Sequence, residues 1–438
     1  MSRLRLLVIL VPLCTAVGCA DTAAPDRSFA GGPDATATAA VAPPVDWGAA
    51  ASEVMRDVAH RAERSGAGAR WLIAEYLDGV NVSYGYSSDF YTGAAGILFF
   101  LAKYYLEHPS EELAALIREG AQFVAAAAVD TSAAPAGLHV GLAGHGRMFL
   151  ALDEAFPGEG WRDQARAIAA RLPEGSTDLD VISGAAGEGL FLLELHAVDG
   201  DERWLRSAVA RADRLLAAAV AEGAGAKWPL AIGSEYYYPG ISHGTAGIGY
   251  FLARLAGALG DRGLAYRKGA VQAATWLAEI AVRRDGNLSW YRRQPDQTAE
   301  FQDQWCHGTG GIALFFVELW RLTGEARYLE TAISAGETIM ALGSHWSPCV
   351  CHGNAGNAGV MLALYRATGD EVWRERAEQL AGYAWAARQE VDGFLRWESG
   401  DATGAMNPSF MVGAAGIGYV FLLMAAPATR DAAGWEFV

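Results

Sequence analysis

A Gly-x-x-Gly tetrad followed at once by a hydrophobic run occurs seven times. The copies begin at Gly93 (GAAGILFFL), Gly141 (GLAGHGRMFL), Gly184 (GAAGEGLFLL), Gly244 (GTAGIGYFL), Gly308 (GTGGIALFF), Gly353 (GNAGNAGVML) and Gly413 (GAAGIGYVFL). Amphipathic stretches rich in Ala, Arg, Glu and Leu lie between them, such as 112–127, 203–221 and 371–387. In the second, Trp204, Leu205, Ala208, Ala212, Leu215, Leu216 and Val220 recur at helical spacing. A helix apolar all round must be buried, whereas one with a single apolar stripe covers a core and faces water. Seven such pairs predict an all-α fold, a closed α/α toroid with an inner ring of apolar helices inside an outer ring. Gly and Ala in the first inner turn let backbones approach and leave N–H groups aimed into the central cavity. Most of these glycines are therefore architectural, and chemistry is expected in the non-repeating side chains just ahead of them.

Aligned on the first glycine, the preceding residue is Thr92, Val140, Ser183, His243, His307, His352 or Val412. One position further back stand Cys306 and Cys351. A lone histidine beside a glycine turn more often caps or packs, but two Cys-His-Gly tripeptides in register are specific. The repeat alone offers Cys306, His307, Cys351, His352 and His243 as candidate ligands, with Cys349 in reserve. Thiolates and imidazole together suit a zinc ion with one position left open. The competing use of the thiols is a Cys306–Cys351 or Cys349–Cys351 disulfide.

Residues 1–18 read as an export signal: Arg3 and Arg5 precede the apolar run 6–17, which is too short to span a bilayer. Ala16-Val17-Gly18-Cys19 resembles a bacterial lipobox, giving an expected lipid anchor at Cys19 and a place in the cell envelope; ordinary cleavage is the alternative. Residues 19–45 are poor in large apolar side chains and read as a flexible tether. Residues 46–438 then form one domain, because the repeat runs to the end without a second linker. The charge of −16, with no basic cluster, argues against nucleic acid as a partner. Once Cys14 leaves with the signal and Cys19 is set aside, Cys306, Cys349 and Cys351 remain, too few for a disulfide-built exported domain.

Four motifs carry a family resemblance: Asp180-Val181-Ile182-Ser183-Gly184, Ser242-His243-Gly244, Trp305-Cys306-x-Gly308 and Cys351-His352-Gly353-Asn354-Ala355-Gly356-Asn357. With them the chain resembles the lanthionine synthetase C family over about residues 50 to 435. The resemblance implies zinc held by Cys306, Cys351 and His352, with His307 only a neighbour. It implies His243 as the acid/base histidine and Asp180 as the catalytic aspartate. It also implies addition of a zinc-activated peptide thiol to a dehydroalanine or dehydrobutyrine, closing a thioether.

The chemistry is coherent by itself. A free thiol with pKa near ~8.5 is mostly protonated at neutral pH, and metal ligation deprotonates it. Holding thiolate and alkene together contributes up to about 7–11 kcal/mol in good geometry. The enolate left by addition needs a proton, and a histidine titrates in the right range. Asp180 would orient that histidine, or else serve as a helix cap. Gln302 stands where family cyclases carry Arg, and export separates the chain from a cytoplasmic, leader-bearing substrate. Two other readings therefore stay open. One is a non-catalytic zinc protein that binds peptides or thiols. The other is a carbohydrate-active α/α barrel with Asp180 and Asp303 as paired carboxylates and Tyr236 to Tyr238 as a sugar platform.

Overall fold

The computed structural model describes residues 45–427 except 77–81, 129–134, 295–300, 344–346 and 402–403. The leader, the lipid site at Cys19 and all but the last residue of the tether lie outside the described residues. Among the described residues, no helix is long and apolar enough to cross a membrane.

Seven helices form the inner ring: α2 (Ala94–Glu107), α4 (Leu142–Ala155), α6 (Ala185–Asp199), α8 (Thr245–Leu259), α10 (Thr309–Thr323), α12 (Asn354–Thr368) and α14 (Ala414–Ala425). Seven more surround them: α1 (Trp47–His60), α3 (Glu111–Ala127), α5 (Trp161–Ala169), α7 (Glu202–Ala218), α9 (Leu264–Ile280), α11 (Ala326–Leu342) and α13 (Glu371–Ala386). Each inner helix packs on the next, and α14 packs on α2. The first helix, α1, serves as the outer partner of the last, α14, so the chain closes its own ring. The sequence pattern explains the layers. In α14 every residue from Ala414 to Met424 is buried, whereas α7 buries only a stripe, Trp204, Leu205, Ala208, Arg211, Ala212 and Leu215.

The second glycine of each tetrad has a local task beside the close approach of units, which shows at Gly311, where a Cβ would lie 2.4 Å from Ile241 of the preceding unit. A Cβ on Gly356 would lie 1.9 Å from the carbonyl oxygen of Val350, and one on Gly416 1.9 Å from that of Phe410. The backbone that comes close is the loop leading into the same helix, six residues upstream. Each tetrad folds its own entry loop against the first helical turn. The first N–H of every inner helix donates to a carbonyl seven residues back, as Thr309 to Gln302 and Asn354 to Ser347.

Four outer helices continue into short hairpins that the sequence reading missed: β1–β2 (Ala62–Ser65, Gly68–Trp71), β5–β6 (Val220–Glu222, Gly225–Lys227), β7–β8 (Val282–Arg284, Asn287–Ser289) and β9–β10 (Gln389–Val391, Phe394–Arg396). A further hairpin, β3–β4, joins Ile73–Tyr76 to Val82–Gly85. The helix expected over 203–221 accordingly stops at Ala218, because Val220 enters a strand. Asp285-Gly286 and Asp392-Gly393 both have positive φ, the two-residue turn that matches strand twist. At the end of the first hairpin and directly after the other three, a tryptophan returns to its helix. Trp71, Trp228, Trp290 and Trp397 donate Nε1–H to the carbonyls of Val58, Leu215, Leu277 and Ala384 at 2.8, 2.6, 2.8 and 2.7 Å, each bond spanning 13 residues.

His145, in the first turn of α4, is buried, which pulls its pKa down to about 4. In the unfolded chain it would titrate near ~6.5. Between those values the unfolded chain binds a proton that the folded one does not. Stability is therefore lost as pH falls through that window, by up to about 3 kcal/mol at its foot. Urea unfolding at pH 7 and pH 4.5 checks this: His145→Gln should flatten much of the decline, and an unchanged slope would refute the assignment.

Candidate metal centre and histidine–aspartate pair

The residue two before each leading glycine sits in a loop at the same end of the toroid. These loops are tied into a ring by backbone hydrogen bonds. Tyr91 N–H donates to His139, His139 to Ile182, Ser242 to Cys306, Cys306 to Cys351, Cys351 to Met411, and Met411 back to Tyr91, over 2.8–3.1 Å. At unit three the ladder slips by one residue, and Val181 donates to Ser242 at 3.2 Å. The ring makes Cys306 and Cys351 neighbours although 44 residues separate them in sequence.

Their sulfurs and a ring nitrogen of His352 lie within 4.8 Å of one another. Cys306 and Cys351 are buried, and His352 nearly so. All three described cysteines are free thiols, so no disulfide occupies the donors. Tyr91, which shares the ring position of the two cysteines, donates its hydroxyl to Cys351 Sγ at 2.9 Å. Burial lowers the proton affinity of His352, but the sulfurs of Cys349 and Cys306 and the Asp401 carboxylate outweigh it and hold its pKa well above the usual histidine range. A basic imidazole beside two sulfurs is a donor set able to hold a soft divalent metal ion.

The second expected group also assembles. His243 Nδ1 lies 2.5 Å from Asp180 Oδ2. The other carboxylate oxygen of Asp180 accepts the Ser183 N–H at 2.8 Å and its hydroxyl at 3.2 Å. Of orienting and capping, set as alternatives on sequence grounds, the contact with His243 is present and the cap is not: α6 has Gly184 as its N-cap with no side-chain bond, and the second oxygen closes a turn within the entry loop. Asp178, close to this pair, has its pKa raised by burial and by the Asp180 charge. His307 is buried and stacks on His243 with ring centroids 5.6 Å apart. It stands outside the sulfur cluster.

Tyr238 packs beside His307 at 5.5 Å, while Tyr236 and Tyr237 hold cations, Arg293 and Lys227. The three tyrosines therefore do not present one platform. Asp303 is buried, which raises its pKa, and its carboxylate accepts from Thr309 Oγ1 at 2.7 Å and faces Arg284 at 3.5 Å. The backbone carbonyl of Gln302 receives the first N–H of α10. Sequence reasoning missed Tyr91, whose signal was its place in the repeat, and Asp401, which has no such signal.

The family model for lanthionine synthetase C-like proteins matches residues 85–438. No curated protein matches the chain in sequence. Among solved structures, nisin cyclase superposes with a TM-score of 0.62 at 19% identity, covering 77% of this chain and 88% of its own. The Lin0763 protein from Listeria innocua superposes at 0.52 with 14% identity over 87% and 97% of the two chains. A family 76 glycoside hydrolase from a bovine Bacteroides thetaiotaomicron strain does so at 0.51 with 16% identity over 87% and 78%. These structural likenesses establish the shared toroid. The family match, which spans most of the sequence and contains all seven glycine units, settles kinship: the chain belongs to the lanthionine synthetase C-like family.

Proposed function

We propose that this protein is a zinc-dependent enzyme of the cell envelope, anchored by a lipid on Cys19, that adds a thiol to a dehydroamino acid or similar electrophilic alkene. The observation that carries the chemistry is the placing of a two-sulfur, one-imidazole cluster at the same end of one toroid as a hydrogen-bonded histidine–aspartate pair. The lipid anchor rests on Arg3, Arg5, the apolar run after them and the lipobox-like Ala16–Cys19 segment.

Cys306, Cys351 and His352 would hold the zinc, and a bound zinc supplies the charge that keeps a substrate thiol deprotonated at neutral pH. The chain's own residues do the rest. Tyr91, by donating to Cys351, fixes the direction of that sulfur. Asp180 accepts the Nδ1–H of His243, which fixes the tautomer and leaves the opposite nitrogen to carry a proton. As the C–S bond forms at the β-carbon, the alkene π pair moves to the α-carbon. His243 delivers the proton that completes the adduct, and solvent restores it. His307, stacked on His243, limits how far that ring can rotate.

A peptide carrying one cysteine and one dehydroalanine tests this. With zinc present, the free thiol should disappear at unchanged mass. A peptide that is bound yet never loses its thiol would sink the enzymatic reading. It would favour instead a zinc-containing binding protein, the reading that Gln302 at the family's Arg position supports.

A further inference from the structure

His352 is gripped from a second side by residues that the zinc chemistry does not use. Its Nε2 lies 3.6 Å from Asp401 Oδ1. A Cβ placed on Gly400 would fall 2.6 Å from Cys349 Sγ and 2.6 Å from His352 Nε2, so sulfur and nitrogen border one narrow gap kept open by the glycine. Gly400 N–H donates to the Val412 carbonyl at 2.9 Å, fixing that wall of the gap to the loop of the seventh unit. Cys349 is wholly buried, yet the close donor group consists of Cys306, Cys351 and His352 without it. A histidine that ligates a metal through one nitrogen usually gives its other N–H to an acceptor, which sets tautomer and ring angle. Carboxylate oxygen and cysteine sulfur are both acceptors, the sulfur the weaker.

We propose that Cys349 is a positioning residue that takes the Nε2–H of His352, beside the Asp401 carboxylate charge, and thereby presents Nδ1 to the sulfurs of Cys306 and Cys351. This rests on the zinc reading above and adds to it which ring nitrogen ligates and what holds the ring. Cys349 acts through His352 and is not itself a ligand.

The test compares Cys349→Ala, Cys349→Ser and Gly400→Ala in the full chain. Zinc affinity is measured by chelator competition. The sulfur-to-metal absorption per bound ion is recorded in the cobalt-loaded protein. Ring ¹⁵N shifts of His352 are recorded in metal-free protein at alkaline pH, where the ring is neutral. Cys349→Ala and Gly400→Ala should each weaken zinc about 10–100-fold, the usual size for loss of an outer partner. Cys349→Ser should recover most of that loss, since a hydroxyl also accepts. The cobalt band should keep its intensity per metal in Cys349→Ala, and the wild-type ring should show its proton on Nε2. Zinc affinity in Cys349→Ala within about threefold of wild type would overturn the proposal. So would a cobalt band reduced by about a third, which would make Cys349 a ligand. If wild-type protein binds no zinc the zinc reading fails, and the ¹⁵N shifts still decide where the His352 proton sits.

Discussion

Cys351→Ala should leave the purified protein with less than about a tenth of the wild-type zinc after dialysis against a mild chelator. Structural zinc sites with four protein ligands are worth roughly 10–16 kcal/mol, so one ligand carries about 2.5–4 kcal/mol, or two to three decades in affinity. The loss reaches further than the metal. Tyr91 donates its hydroxyl to Cys351 Sγ inside the core, and an abandoned buried donor costs about 1–3 kcal/mol. The double variant Tyr91→Phe/Cys351→Ala should therefore be more stable than Cys351→Ala alone while remaining just as poor in zinc. Metal analysis beside urea unfolding separates the two effects. Full zinc occupancy in Cys351→Ala would remove the centre from the mechanism.

His243→Ala should lower thioether formation by about 10²–10⁴-fold, the span of general acid–base catalysis, with zinc content unchanged. Asp180→Asn makes the sharper experiment. The asparagine oxygen can still accept the Ser183 N–H, so the entry to α6 is kept, but its amide presents a donor to His243 Nδ1 and opposes the working tautomer. Turnover should fall towards that of His243→Ala, and the two changes together should cost little more than either alone, because the pair acts as a unit. Single-turnover rates at saturating peptide, with zinc measured on the same samples, decide it. Losses that multiply would show that Asp180 works separately from His243.

The ring of helix pairs was legible because its cause is local. An all-apolar helix has to be buried, and the glycine tetrads mark where each one starts. The hairpins were not read, although Asp285-Gly286 and Asp392-Gly393 carry the two-residue turn signal, and Trp71, Trp228, Trp290 and Trp397 each stand five residues beyond the first position of their own turn. Their strands run three or four residues and abut strong helices, so alternation had too little length to show. The 203–221 stretch failed at its end for that reason: Val220 continues the helical spacing but is held in a strand paired with Lys227.

At the site, the repeat supplied the types of donor but not their division of labour, which on sequence grounds came only from the family resemblance. His243, His307 and His352 occupy one position of the repeat, and nothing in that position distinguishes them. The fold turns the first towards Asp180, stacks the second on the first, and brings the third to the two sulfurs. Tyr91 and Asp401 reach Cys351 and His352 from distant or unpatterned stretches of chain, by contacts that exist only once the ring of loops has closed. Periodicity by itself determined the toroid and the end at which chemistry gathers, since helix burial follows from the spacing of apolar residues along a few turns. Tertiary structure alone decided which side chains meet, because groups 44 or more residues apart become neighbours through the backbone hydrogen bonds that join successive loops.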